Sequence, residues 1–123
     1  MNLEIFYEYC LGKKSATEHF PFDDTTLAFK VGGKIFALSS LSQWEKGEPG
    51  VNLKCDTERA VELRVEFEGI KSGYHMNKKH WNTVSINSDV PAKLVKELID
   101  HSYDLVFKSL SKKIQNEIIE IEN

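Results

Sequence analysis

Apolar residues near the N-terminus repeat with the spacing of one helical face. These residues are Leu3, Phe6, Tyr7, Cys10 and Leu11. They occupy positions i, i+3, i+4, i+7 and i+8, and Gly12 follows where helix C-termini favour glycine. The pattern predicts a first helix that ends near Gly12.

The pattern then changes to the two-residue period of a β-strand. Apolar and polar residues alternate over residues 25–31, the pair Gly32-Gly33 follows, and a second strand is predicted over residues 34–41. Adjacent glycines supply the positive φ angles of a tight hairpin turn. The segment is therefore predicted to be a β-hairpin, with Phe36 and Leu38 on one face of its second strand.

The middle of the chain predicts a loop, a strand and a helix. Residues 42–50 contain Gly47, Pro49 and Gly50 and are predicted to form a loop, and residues 51–55 alternate as a third strand. Asp56 is a good N-cap for a second helix, which is predicted to end by Gly69. Residues 70–86 are predicted to form one or two further strands around a polar centre.

A long amphipathic helix is predicted after Pro91. Its apolar positions repeat at helical spacing and comprise Leu94, Val95, Leu98, Ile99, Val106 and Leu110. Residues 111–123 either extend this helix or form a short separate one. The order of elements predicts an α+β fold of two layers, an antiparallel sheet with helices on one face. One domain over residues 1–110 is expected, with residues 111–123 as a helical extension or tail.

Charge is unevenly distributed along the 123 residues. The formal net charge is −3, which excludes a polycationic histone-like protein, and the apolar content of 41% with 11% aromatic residues excludes a mostly disordered chain. Residues 1–70 carry eight basic and twelve acidic residues, whereas residues 71–123 carry eight and seven. Residues 69–88 contain no Asp or Glu at all. The average charge therefore conceals one basic segment.

This acid-free segment interleaves cations with aromatic and amide side chains. Its candidate nucleic-acid-binding residues are Lys71, Tyr74, His75, Asn77, Lys78, Lys79, His80, Trp81 and Asn82. Lysines neutralise phosphates, and rings and amides meet bases. The alternative interpretation is structural: the two adjacent lysines form a solvated turn, the Trp fills the core, and the lack of acid is chance.

Other chemistry has little support in the sequence. Cys10 and Cys55 lie far apart and are predicted to be buried free thiols, and His75 and His80 share neither a helix face nor a strand face. His101 is better explained as a structural histidine than as a proton-transfer group. No nucleophile motif or phosphate-binding glycine loop is present, so neither an enzyme, a cofactor nor a metal site is predicted. No signal peptide or membrane span is expected, which predicts a cytoplasmic protein without a membrane partner.

Five segments resemble the MmcQ/YjbR family of small bacterial proteins. They are residues 73–84 (GYHMNKKHWNTV), 20–22 (FPF), 27–34 (LAFKVGGK), 51–56 (VNLKCD) and 100–106 (DHSYDLV). They occur in the family's order, and the resemblance as a whole covers about residues 3–110. The chain departs from the family pattern at Asp23, Thr57 and Lys71-Ser72, which affects loop geometry and leaves the basic segment intact. The resemblance implies a CyaY-like α+β fold, described as a double-wing DNA-binding motif.

Three functions are compatible with these observations. The first is weak DNA binding through the basic segment, for which three lysines imply a log-log salt slope of about −2.7 on duplex DNA. The second is binding of a small anionic ligand by the same residues. The third is a protein-interaction role in which the segment only defines the fold. A monomer is expected, with Ile114, Ile118 and Ile119 of the tail as the candidate surface for a weak homodimer.

Overall fold

The computed structural model describes residues 1–73 and 76–121. In chain order its elements are α1 (Leu3–Leu11), β1 (Thr17–His19), β2 (Thr26–Val31), β3 (Lys34–Ser40), α2 (Leu41–Glu45), β4 (Gly50–Lys54), α3 (Thr57–Glu66), β5 (Ile70–Ser72), β6 (Trp81–Ser85), α4 (Ala92–Ser109) and α5 (Lys112–Glu120). Every strand pairing is antiparallel, and the strand order is β1-β2-β3-β4-β6-β5. The predicted α+β fold with an antiparallel sheet is confirmed.

The core lies between the sheet and the helices. The long helix α4 crosses β2, β3 and β4, and α3 packs against β5. Phe6 of α1 meets Phe29 of β2 edge to face, with ring centroids 5.9 Å apart. Ala28 and Leu38 are also buried, yet they lie outside this core cluster because they point to the other side of the sheet. We call that other side the open face.

Capping side chains set the helix starts. Asp56 accepts a hydrogen bond from the Arg59 amide and begins α3, as predicted. Ser111 accepts one from the Ile114 amide, so α5 is a separate helix rather than an extension of α4. Ser40 caps α2 in the same way, and this short helix takes up the first part of the predicted loop, whereas residues 46–49 connect α2 to β4 without helix or strand, as predicted. The missed signal is the spacing of Leu41 and Trp44, both packed against the core.

The glycine hairpin forms as predicted, and Leu110 at the end of α4 packs on it. Gly32 and Gly33 have φ angles of +57° and +82°, which joins β2 to β3 by a two-residue turn. A Cβ on Gly32 would lie 2.6 Å from Leu110 Cδ1, so the C-terminal segment packs directly on this turn. A Cβ on Gly33, in contrast, would have no atom within 4 Å.

A β-bulge corrects the predicted faces of β3. Pairing with β2 shifts register between Phe29 and Lys30, so Phe36 has no single partner there. Phe36 turns toward the helices and contacts the Tyr103 ring at 5.3 Å, whereas Leu38 lies on the open face. The prediction that Phe36 and Leu38 share one face is wrong, because a bulge adds one residue to the two-residue period. The edge strand β1 was also missed, since its three exposed residues carry no apolar signal.

Candidate nucleic-acid interface

The acid-free segment folds into the edge hairpin of the sheet. β5 and β6 pair from Ile70 opposite Val84 to Ser72 opposite Asn82, and residues 73–80 connect them as the β5–β6 loop. The Gly73 amide donates a 2.8 Å hydrogen bond to the Trp81 carbonyl. A Cβ at Gly73 would lie 2.9 Å from Trp81 Cβ, so glycine lets the loop close against β6. Tyr74 and His75, both predicted site residues, lie outside the described residues.

Asn77 organises the tip of this loop. Its Oδ1 accepts a 3.0 Å hydrogen bond from the Lys79 amide. Its carbonyl accepts from the amides of His80 and Trp81, at 3.1 and 2.9 Å. The Asn77 side chain therefore holds the turn, and Lys78 and Lys79 are exposed on it. This turn presents the two adjacent cations to solvent.

The loop is held to the sheet and α3 at its second half. The His80 carbonyl accepts a 2.8 Å hydrogen bond from the Cys55 amide, which continues the β4–β6 pairing. His80 Nδ1 lies 3.5 Å from Thr57 Oγ1, and Arg64 Nη1 donates to the Lys78 carbonyl at 3.5 Å. His80 is consequently half-buried, and its ring faces the start of α3.

Trp81 and Asn82 point to opposite sides of the sheet. Asn82 is only 2% exposed and donates through Nδ2 to the Ala60 carbonyl of α3 at 3.3 Å. The prediction that Asn82 belongs to an exposed patch is therefore wrong: strand alternation turns it into the core. Trp81 lies opposite Lys54 on the open face, half-buried.

Strand pairing adds lysines to the patch that the linear sequence did not show. Lys30 of β2, Lys54 of β4 and Lys71 of β5 all point to the open face. We call these three, with Trp81 and the exposed loop lysines Lys78 and Lys79, the basic end. The alternation of apolar and polar residues along β2 and β4 is the sequence signal that turns Lys30 and Lys54 away from the core. Only the strand order shows that they share a face with Lys71.

A cavity of about 350 Å³ lies at the basic end. Its described lining includes Lys34, Lys54, Met76 and Trp81, together with Ser109 near the end of α4, and it contains no carboxylate. Carboxylates instead border the opposite end of the open face, where Asp23 and Glu48 project from loops. The open face is therefore positively charged at one end and negatively charged at the other.

Several further side chains have structural roles. His101 Nε2 accepts a 3.1 Å hydrogen bond from the Asp56 amide, and burial together with nearby Arg59 lowers the pKa of this imidazole. Cys10 and Cys55 are buried free thiols, as predicted, and burial raises the pKa of both. Within residues 1–73 and 76–121, no three His, Cys, Asp or Glu side chains gather as a metal site would require. None of the helices in that part of the chain has the length and apolarity to span a bilayer.

Comparison with known proteins identifies the family. The family model described as YjbR matches residues 11–105. The chain belongs to the YjbR family. It is 39% identical over 99 residues to the uncharacterized protein YbdF of Escherichia coli O157:H7, covering 80% of this chain and 79% of that one. It is 26% identical to the uncharacterized protein YjbR of Escherichia coli K12, over 98% of this chain and all of the relative.

Solved structures agree with this assignment. The crystal structure of protein DR2400 of Deinococcus radiodurans superimposes with a TM-score of 0.88 at 39% identity, covering 95% of this chain and 87% of that chain. A crystal structure of a Pseudomonas syringae protein gives a TM-score of 0.72 at 27% identity, over 86% and 99%. Both solved structures thus share the fold of this chain.

Proposed function

We propose that this YjbR-family protein binds nucleic acid through the basic end of its open face. The observation that carries the proposal is the pairing of Lys54 with Trp81 on the open face of the sheet. A lysine beside an aromatic ring on an accessible sheet provides both a phosphate contact and a stacking surface.

Charge placement supports this use of the surface. Five lysines of the basic end come from four places in the fold: β2, β4, β5 and the β5–β6 loop. The strand residues that point to the open face include no carboxylate in the described chain. An overall charge of −3 disfavours indiscriminate binding, so a polyanion is expected on this end alone.

The strength of binding follows from the number of phosphates neutralised. Five contacts on a single strand give a log-log salt slope of about −3.5. Such a slope corresponds to weak binding that is readily lost as salt rises. The chain is therefore expected to act as a low-affinity binder.

The test is a fluorescence anisotropy titration of a labelled oligonucleotide of about 15 nucleotides at several salt concentrations. The double variant Lys78→Ala with Lys79→Ala is expected to weaken binding about tenfold and to reduce the slope by about 1.4. The matched control is Lys112→Ala with Lys113→Ala, an adjacent exposed lysine pair on α5. Equal losses in both double variants, or no binding by the wild type at tens of micromolar, would refute the proposal.

A small anionic ligand is the second candidate, favoured by the cavity at the basic end. Its Lys34 and Lys54 ammonium groups and its Trp81 ring suit a compound that carries phosphate or carboxylate next to a flat apolar group. A thermal-shift series with inorganic phosphate and mononucleotides separates the two candidates. Stabilisation by micromolar mononucleotide, without affinity for the oligonucleotide, would replace the first proposal with the second.

A further inference from the structure

A second depression lies on the open face beyond the basic end. This groove has a volume of about 670 Å³, within the range of sites that bind small molecules or molecular fragments. Leu38, Asn52 and Thr83 line it from three adjacent strands, and Met76 borders both this groove and the cavity at the basic end. The two depressions are thus neighbours on one surface.

An exposed aromatic ring, that of Phe22, lies beside the groove. Phe22, in the loop between β1 and β2, is 66% exposed and lines the groove with Leu38 and Met76. An exposed Phe contributes little to folding, because its ring keeps most of its contact with water. A flat apolar ring beside an apolar floor is the arrangement on which proteins stack unpaired bases.

Polar groups supply the hydrogen bonds that a base edge needs. Asn52 Oδ1 accepts a hydrogen bond from Thr83 Oγ1, which orients the amide and leaves its Nδ2 donor without a partner among the described residues. The hydroxyl groups of Ser40 and Ser85 also line the groove. Amides and hydroxyls read the edges of bases and carry no charge that would select phosphate.

Carboxylates at the far end of the groove exclude phosphate from it. Asp23 accepts hydrogen bonds from the amides of Thr25 and Thr26, at 2.9 and 2.7 Å, and from both of their hydroxyl groups. These bonds lower the pKa of Asp23, so its carboxylate stays charged at neutral pH. Glu48 adds a second negative charge. A phosphate is repelled there, whereas a neutral base is not.

The groove lies close enough to the basic end for one nucleotide to contact both. Lys54 follows Asn52 by two residues on β4, which places their backbones roughly 7 Å apart on the same face. That separation suits one nucleotide, with its phosphate on the lysine and its base at the amide.

We propose that the open-face groove receives an unpaired base of a single-stranded nucleic acid whose phosphates lie on the basic end. This inference rests on the proposed function and adds the strandedness of the ligand. Duplex is disfavoured because its bases are stacked and paired, out of reach of Phe22 and Asn52.

The experiment compares three labelled probes of equal length: oligothymidylate, an abasic phosphodiester strand and a duplex. Wild-type protein is expected to bind oligothymidylate about tenfold more tightly than the abasic strand, and more tightly than the duplex. Phe22→Ala is expected to remove most of that preference. The control is Phe20→Ala, an exposed Phe of the same loop at 47% exposure that lines a different cavity beside α1. Urea unfolding establishes that both variants are folded.

The outcomes separate this inference from the proposed function. Equal binding of oligothymidylate and the abasic strand, with loss on Lys78→Ala and Lys79→Ala, would overturn the base site and leave the basic end standing. Binding of none of the three probes would overturn both proposals. Tighter binding of the duplex, or equal effects of Phe20→Ala and Phe22→Ala, would also overturn the base site.

Discussion

Ser102 of α4 donates a 2.6 Å hydrogen bond to the carbonyl oxygen of Phe36 in β3. The same hydroxyl accepts a 2.9 Å hydrogen bond from the amide of Lys54 in β4. Paired residues of β3 and β4 are Ala37 with Leu53 and Leu38 with Asn52. The described β3–β4 pairing ends at Ala37 and Leu53, and the Ser102 hydroxyl bridges the two strands beyond it. The side chain of Ser102 thus links β3 to β4 next to Lys54.

Ser102→Ala is expected to lower the free energy of unfolding by about 3 kcal/mol, because it leaves two buried backbone groups without partners. Urea unfolding followed by circular dichroism measures the change. Ser109→Ala on the same helix removes only a hydroxyl bonded to the Val106 carbonyl within its own turn, and is expected to cost less than about 0.5 kcal/mol. Similar losses in the two variants would show that the bridge does not support the sheet.

The two hairpin glycines differ in their surroundings although both have positive φ. Gly33→Ala is expected to cost about 1 kcal/mol, the strain of an L-residue in that conformation. Gly32→Ala adds a Cβ 2.6 Å from Leu110 Cδ1, and overpacking brings its cost to about 3 kcal/mol. Thermal or urea unfolding of the pair measures the difference. Equal costs would mean that the C-terminal segment does not pack on the turn in solution.

Asn82 is expected to matter for stability and not for ligand binding. Asn82→Ala removes the hydrogen bond to the Ala60 carbonyl and is expected to lower the free energy of unfolding by about 1 kcal/mol. Oligonucleotide affinity, measured by anisotropy below the unfolding transition, is expected to stay within twofold of wild type. A large loss of affinity with unchanged stability would show that Asn82 takes part in oligonucleotide binding.

The stability of the protein is expected to fall as the pH drops from about 7.5 to about 5, in part through His101. The folded imidazole has a lowered pKa, whereas in the unfolded chain it takes up a proton near the usual value of 6.5. The unfolded state therefore binds more protons in this window, and stability present above pH 6.5 is lost below it. His101→Gln is expected to flatten this part of the profile in urea unfolding at several pH values. An unchanged profile would show that His101 does not contribute.

Local patterns predicted most of the fold because each element carries its own signal. The periodicity of α4, the Gly32-Gly33 turn and the Asp56 cap are all properties of neighbouring residues. The Phe36 bulge was unpredictable from the strand itself, since it arises where β3 pairs with β2, and the residue that bonds to the Phe36 carbonyl, Ser102, lies 66 residues away. The three exposed residues of β1 form a strand only because β2 offers an edge.

The candidate site was predicted in part for the same reason. Lys71, Lys78 and Lys79 are close in sequence and were found by composition, whereas Lys30 and Lys54 join them only through the strand order. Asn82 was misplaced because composition ignores alternation along β6. The groove at Phe22 depends on a loop that contacts other strands, so no single segment of sequence indicates it.

The most direct test of nucleic-acid binding at the basic end is a titration of the ¹⁵N-labelled protein with single-stranded oligonucleotide, followed by amide chemical shifts in NMR spectra. The largest shifts are expected at Lys30, Lys54, Lys71 and Trp81 and in the β5–β6 loop, while amides of α1, α4 and α5 are expected to stay nearly unchanged. Shifts concentrated on the helical side, or no shifts at millimolar oligonucleotide, would contradict it.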